Sequence, residues 1–337
     1  MRAYQLPAGG SIDALVEVDL PMREPAYRQV LVKVAACSLN YRDLAIVLGR
    51  YRAPSKANLV PLSDGAGEVV EVGAGVTRFK PGDRVAGCFF QRWSGGRPEP
   101  DTQASAVGGA IDGMLAEYVV LEEDGAVKLP AHLSFEEGAA LPCAAVTAWQ
   151  ALIEPGRVTA GDCVLVQGTG GVSIFALQFA RMLGAEVVVI SSSDDKLARA
   201  KALGAAHLIN YKTTPEWDKA ALDLTGGQGV DQVVEVGGAG TFVRSLNAIR
   251  LNGSISLIGV LAGAAEINPM LMLVKRANVQ GISVGSRQMF EAMNRAIAVN
   301  GMKPVIDKVF PFAETHAAYR HLQSAAHFGK VAIRVGA

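Results

Sequence analysis

The apolar run Cys163-Val164-Leu165-Val166-Gln167 passes directly into Gly168-Thr169-Gly170-Gly171-Val172-Ser173 and then into a strongly apolar helical pattern. Strand, glycine turn and helix in that order form a setting in which backbone can cradle a diphosphate. A Cβ at the second glycine would hold the chain away from a pyrophosphate. The free N–H groups and the dipole at the helix start favour its negative charge. Gly168, Gly170, Gly171 and Val172 are therefore candidate dinucleotide contacts. Ser173 stands where the fingerprint usually has Gly or Ala, a departure from the pattern. A plain glycine turn is the competing reading; five further strands following in order favour the dinucleotide.

The end of the next strand selects the dinucleotide. An NAD site places Asp or Glu there to accept from the ribose 2′-OH. Here Val187-Val188-Val189-Ile190 ends in Ser191-Ser192-Ser193. A carboxylate would repel a 2′-phosphate, whereas hydroxyls can donate to it, so NADP(H) is the expected cofactor. Asp194 and Asp195 are expected to cap the following helix, and Lys196 can reach back with a cation; for Ser192 and Ser193, helix N-capping alone is the competing reading.

The elements that must position these residues follow from periodicity. From about residue 160, apolar runs at 163–167, 186–191, 207–210, 232–236, 254–260 and 279–284 alternate with helical patterns at 172–183, 194–203, 216–224, 241–251 and 269–276. Near-continuous apolar strands with helical crossovers predict an α/β chain with a doubly wound parallel six-stranded sheet of Rossmann type. Before residue 125 the pattern is β-rich, with strands at 30–34, 67–72, 84–88 and 116–121 between Gly, Pro and Asp turns. The polar, glycine-rich stretch 91–113 reads as a long surface loop or a small lobe. After a helix at about 286–299, the tail 305–335 carries a helix and a closing strand at 330–335. Six strands already complete the α/β sheet, so this tail is expected to return to the first domain. The expected borders are 1–124 with 300–337 for the β-rich domain and 125–299 for the Rossmann domain.

Composition excludes several classes. The 337 residues are 50% hydrophobic and 19% charged, which rules out a disordered chain. Lys plus Arg and Asp plus Glu are both 32, so no basic excess points to nucleic acid. No apolar run reaches a membrane span, and no secretory signal pattern opens the sequence. The four cysteines, Cys37, Cys88, Cys143 and Cys163, are widely spaced and include no CxxC pair, so a reducing cytoplasm is the expected setting.

Gly82-Asp83-Arg84-Val85, Gly113-Met114-Leu115-Ala116-Glu117-Tyr118, the glycine turn and Phe328-Gly329-Lys330-Val331 together resemble the medium-chain dehydrogenase/reductase superfamily, most closely its zinc-independent, quinone-oxidoreductase-like subgroup. The resemblance covers essentially the whole chain. It implies a GroES-like catalytic domain built from both chain ends, a Rossmann domain in the middle and an active site in the cleft between them. In the zinc enzymes of the superfamily a Cys, a His and a further Cys hold the catalytic metal. Asn40 and Ser63 fall at the first two of these positions here, and only Cys143 matches. Asn and Ser are poor zinc ligands, the stretch 91–113 holds no Cys for a structural zinc, and His132, His207, His316, His321 and His327 show no ligand spacing, so no metal is expected.

The resemblance also implies roles residue by residue. Asn40 lies near the nicotinamide ribose, Asp43 orients its loop, Tyr51 is an aromatic at the cleft mouth, and Thr147 stands beside the nicotinamide. For Asp43 helix capping is the alternative, and for Tyr51 a buried core position. Ser192, Lys196 and Tyr211 match positions that hold the 2′-phosphate. Gly259, Val260 and Leu261, with Ser283 and Val284, flank the nicotinamide, while Phe328 and Lys330 close over the cofactor. The expected activity is NADPH-dependent hydride transfer to an activated C=C or carbonyl of a small molecule such as a quinone, enone or aldehyde, with Asn40, Tyr51, ribose hydroxyls or water stabilising the developing charge. A zinc alcohol dehydrogenase and an NADPH-binding sensor without turnover are the alternatives. An edge strand at 279–284 suggests a homodimer.

Overall fold

The computed structural model describes residues 1–7, 9–51, 56–259 and 266–336. They fall into two compact units, Met1–Val146 with Val284–Ala337, and Thr147–Ser283. The expected borders differ because 125–146 and 284–299 pack with the β-rich part. Ala126–Lys128 pairs with Arg84–Gly87, and Asn294 on the helix Arg287–Asn300 donates to Lys128 O at 3.0 Å.

In chain order the strands are β1 (Arg2–Gln5), β2 (Val16–Asp19), β3 (Gln29–Leu39), β4 (Asp64–Val72), β5 (Arg84–Gly87), β6 (Tyr118–Glu122) and β7 (Ala126–Lys128), then β8 (Cys163–Gln167), β9 (Glu186–Ser191), β10 (His207–Asn210), β11 (Val230–Glu235), β12 (Ile249–Leu257) and β13 (Asn278–Gly281), and last β14 (Ile306–Pro311) and β15 (Lys330–Arg334). In the first unit β1 and β2 form a hairpin-like pair. A seven-stranded sheet runs β14-β15-β3-β4-β5-β7, with β6 also on β3. The chain's tail therefore does return to the first unit, and it brings β14, a strand absent from the sequence reading. Register is decisive here: β15 lies antiparallel to β3 with Val331 opposite Leu39 and Ala332 opposite Ser38. The next residue outward on each strand is Lys330 on one and Asn40 on the other.

The stretch 91–113 is a folded lobe, since Gln91, Trp93, Thr102, Ser105 and Val107 are buried. Gln91 Nε2 donates to Cys88 O and Gly125 O, and its Oε1 accepts from Glu122 N, so one side chain ties the lobe to the sheet.

The second unit is the parallel sheet β10-β9-β8-β11-β12-β13, its order reversing direction between β8 and β11. Leu165, Val188, Ile190, Val233 and Ile255 are buried in its core beside Trp217, Phe242 and Leu246. Strands β8, β9 and β10 have the bounds read from the sequence. The helix expected to reach Leu251 stops at Ala248, and β12 starts at Ile249, opposite Val230. Ile249 and Leu251 satisfy either period; a register shift before Gln232 and a left-handed Asn252 (φ 57°) mark where the strand recovers. No helix among the described residues is long and apolar enough to cross a membrane.

Candidate active site

At the carboxyl end of β8 the turn leaves space beside its glycines. Gly168 has φ 72°, a conformation that disfavours a side chain, and a Cβ at Gly168 or Gly170 would meet no protein atom within 4 Å. Gly170 is the N-cap of the helix Gly171–Met182 and supplies no side-chain cap for the N–H groups of the first turn. Ser173, the departure from the fingerprint, is buried and donates its hydroxyl to Gln167 O at 2.6 Å. It packs the helix on the strand as the missing Gly or Ala would and adds a bond between them. An uncapped helix start under open space, with no Cβ in the way, fits a diphosphate.

A buried carboxylate, absent from the residues expected at the site, braces this turn. Glu235 Oε1 accepts from Gly237 N at 2.8 Å and Gly238 N at 2.9 Å, and Oε2 accepts from Gln167 Nε2 at 2.7 Å. Thr241 and Ser245 also donate to it. Gln167 immediately precedes Gly168, so the network fixes the strand end on which the turn stands. The signal was present: an acidic residue closing the apolar run Val233-Val234.

At the end of β9, Asn210 pairs with Ser191, and Tyr211 N donates to Ser191 O at 3.0 Å. This register brings Ser191, Ser192, Ser193 and Tyr211 to one sheet end, with Lys196 in the first turn of the helix Asp194–Ala202. Ser193, not Asp194 or Asp195, caps that helix: its Oγ accepts from Lys196 N. The two aspartates fill the first turn, where the dipole favours them, and Asp194 accepts from Asn210 Nδ2 at 2.7 Å. Gly259 sits where a Cβ would come within 2.0 Å of Val236 O, so close backbone packing requires glycine. Val260 and Leu261 lie outside the described residues. Thr147 and Phe328 are buried. Val284, next to Ser283, is a β-branched residue at φ 56°, a backbone strain of about 1–3 kcal/mol.

In the first unit the β3–β15 register assembles a different constellation. Lys330, 2% exposed, donates from Nζ to Leu39 O at 2.7 Å and to Asn40 Oδ1 at 2.5 Å, and lies 3.7 Å from Asp64 Oδ2. Asp64 Oδ1 accepts from Ser63 Oγ at 2.8 Å and Oδ2 from Cys143 N at 3.2 Å, in the π-helical turn Leu141–Ala145. Asn40 Nδ2 makes one long contact, 3.4 Å, to Ser63 Oγ. Asp43 joins the two loops: Oδ2 accepts from Asn40 N at 2.8 Å and Oδ1 from Ser63 N at 3.3 Å. Burial pushes the Asp43 carboxyl up to about 6, with the Arg42 cation opposing and the Asp64 charge adding to the rise. Asp43, at the third position of the helix Tyr41–Val47, thus closes a capping box with the N-cap residue Asn40 and also bonds the 61–64 segment.

Tyr51 is 41% exposed, which disposes of the core alternative. Its ring lies over the Arg42 guanidinium, 5.4 Å from the ring centre, while Phe89 stacks on Arg42 at 4.5 Å and Val107 O accepts from its Nη1 at 2.9 Å.

These residues do not fit a zinc ion. Asn40 and Ser63 offer an amide and a hydroxyl, and the amide oxygen already accepts from an ammonium group. Among the described residues no three His, Cys, Asp or Glu side chains are grouped to hold a metal. His132 meets Met302 O, His316 meets Leu15 O, and His321 pairs with Asp307.

Residues 26–131 match the alcohol dehydrogenase GroES-like domain family, and residues 171–298 the zinc-binding dehydrogenase family. A zinc-type alcohol dehydrogenase-like protein of Schizosaccharomyces pombe is 46% identical over 91% of both chains. Among solved structures, a putative alcohol dehydrogenase from Sinorhizobium meliloti is 42% identical, with a TM-score of 0.93 over 99% of this chain and 98% of the other. An NAD-dependent alcohol dehydrogenase is 35% identical, with a TM-score of 0.91 over the whole of both. With its GroES-like unit, its parallel Rossmann-type sheet and relatives that span nearly its full length, the chain belongs to the medium-chain dehydrogenase/reductase superfamily of oxidoreductases.

Proposed function

We propose that this protein is an NADPH-dependent, zinc-independent oxidoreductase that reduces an activated C=C or carbonyl group of a quinone, enone or aldehyde. The bound nicotinamide supplies the hydride. Diphosphate binding falls to the turn Gly168, Gly170, Gly171 and Val172. The 2′-phosphate falls to Ser191, Ser192 and Ser193 with Lys196 and Tyr211, and Thr147, Gly259, Ser283, Val284 and Phe328 border the nicotinamide end. The Asn40 amide and the Tyr51 hydroxyl donate to the substrate oxygen as negative charge develops on it.

One observation carries the cofactor choice. The strand end that holds a carboxylate in NAD sites has three serines, and the nearest carboxylate, Asp194, is engaged by Asn210. The NAD-dependent relative is what favours NAD as the second reading. Fluorescence titration with NADPH and NADH tests the choice. NADPH should bind more tightly, and Lys196→Ala should weaken it by about 1.5–3 kcal/mol while leaving NADH nearly unaffected. Equal affinities in the native protein would refute the assignment. Tight NADPH binding without turnover of any quinone, enone or aldehyde would favour a sensor.

A further inference from the structure

The Lys330 ammonium is buried, and its placement cannot be explained by solvation. Three acceptors surround it: Leu39 O, Asn40 Oδ1 and the Asp64 carboxylate. Of these, Leu39 O and Asp64 would suffice to satisfy a structural ion pair. The bond to Asn40 Oδ1, at 2.5 Å, does something else, because it places a full positive charge on the carbonyl end of an amide whose other end carries two N–H donors. Pulling electron density toward Oδ1 increases the positive charge on the Nδ2 hydrogens and strengthens them as donors, the cooperative polarisation expected of linked hydrogen bonds at low dielectric. It also fixes the amide's orientation, oxygen toward Lys330 and nitrogen toward Ser63. One N–H makes the long contact to Ser63 Oγ, which leaves the other for an incoming acceptor.

We propose that Lys330 is a positioning residue that acts through Asn40: it orients and polarises the Asn40 amide so that Nδ2–H stabilises the oxyanion formed as hydride is delivered. This rests on the reading of Asn40 as the donor to substrate oxygen. Asp64 holds the ammonium in place and balances its charge, so that a fixed cation backs the reaction through an amide. No covalent step is added; the proton on Nδ2 stays there throughout.

Lys330→Met alone would bury an unpaired Asp64, so the test uses Lys330→Met with Asp64→Asn, against Asp64→Asn as reference. The first measurement needs no substrate. The Asn40 side-chain amide, assigned by its loss in Asn40→Ala, is followed by ¹H–¹⁵N NMR. Removing Lys330 should move its ¹⁵N resonance upfield and speed exchange between its two protons, because a weaker carbonyl bond lowers the double-bond character of C–N. An unmoved resonance overturns the proposal. The second measurement is single-turnover hydride transfer from saturating NADPH to 1,4-benzoquinone or 2-cyclohexen-1-one. Loss of Lys330 should slow it about tenfold when Asn40 is present and less than about twofold in Asn40→Ala, a pattern that a merely structural role would not produce. Equal slowing in both backgrounds overturns this proposal alone. If Asn40→Ala itself transfers hydride within about twofold of the native rate, the reading of Asn40 falls, and this proposal with it.

Discussion

The glycine turn of the parallel-sheet unit and the Asn40–Lys330 cluster of the β-rich unit are built by opposite means. The turn is made of backbone. Its working parts are N–H groups and the absence of side chains at Gly168 and Gly170, and all of it lies within a dozen consecutive residues. The cluster is made of side chains from positions 40, 43, 63, 64 and 330, which also take up the backbone N–H of Cys143, and it buries charges of both signs. A backbone site can lose its ligand without losing its fold. A buried ionic site couples the two, since each charge needs its partner whether or not substrate is present.

The sharpest way to break this contrast is Asp64→Ala. It leaves the Lys330 ammonium without a counter-charge and strips the acceptor from Ser63 Oγ and Cys143 N. Stability to urea should fall by about 3–5 kcal/mol. A loss below about 1 kcal/mol would mean that the cluster is no more coupled to folding than the turn is.

The turn offers the complementary pair. Gly170→Ala should leave unfolding within about 0.5 kcal/mol of native, because its Cβ meets nothing in the protein, yet weaken NADPH by about 1–3 kcal/mol by crowding the diphosphate. Gly168→Ala must adopt φ near 72° and should cost about 1–2 kcal/mol of stability. If Gly170→Ala lost stability but kept its affinity for NADPH, the open space would have another purpose.

Acidity sharpens the contrast further. The Asp43 carboxyl, raised by burial to about 6, holds a proton in the native state at pH values where the unfolded chain has released it. Its contribution to stability is therefore fully present below the ordinary carboxylate range and is lost as pH rises through about 6. Relative to Asp43→Asn, the native protein should gain stability between about pH 7 and about pH 4.5, read by urea unfolding across that range. A flat difference, or one of opposite sign, would show that Asp43 stays ionised and that Arg42 and the two backbone N–H groups outweigh burial.

The smallest expected effect concerns the sheet edge. β13 is the edge strand, and Met270, Leu273 and Val274 on the helix Met270–Lys275 are 54%, 67% and 66% exposed. An open edge beside exposed apolar side chains suits pairing with a second copy about a two-fold axis. Leu273→Glu should weaken a dimer seen by light scattering without changing single-turnover hydride transfer. A native protein that is monomeric at micromolar concentration would end that assignment.

The parallel-sheet unit was legible in the sequence because its signals are local. Buried parallel strands read as short apolar runs, glycines mark the turn, and Ser191 ends its strand with Ser192 and Ser193 directly after it. The misreading at Ile249–Leu251 came where apolar residues satisfied both periods and only pairing with β11 decided between them. In the β-rich unit the sequence determined that Asn40 and Ser63 stand at two of the positions where the resemblance implies zinc ligands. What only the tertiary structure decided is what replaces them. No local pattern tells that Lys330 meets Asn40, 290 residues away in the chain, because that contact depends on the register of β15 against β3. Register is set by long-range strand pairing and by which face is buried, and a shift of one residue would turn Lys330 to the other side of the sheet. The same holds for Glu235 beneath the glycine turn. A carboxylate can be read from the sequence, but that it is buried and satisfied by five donors emerges only when β8, β11 and the loop after β11 are packed together.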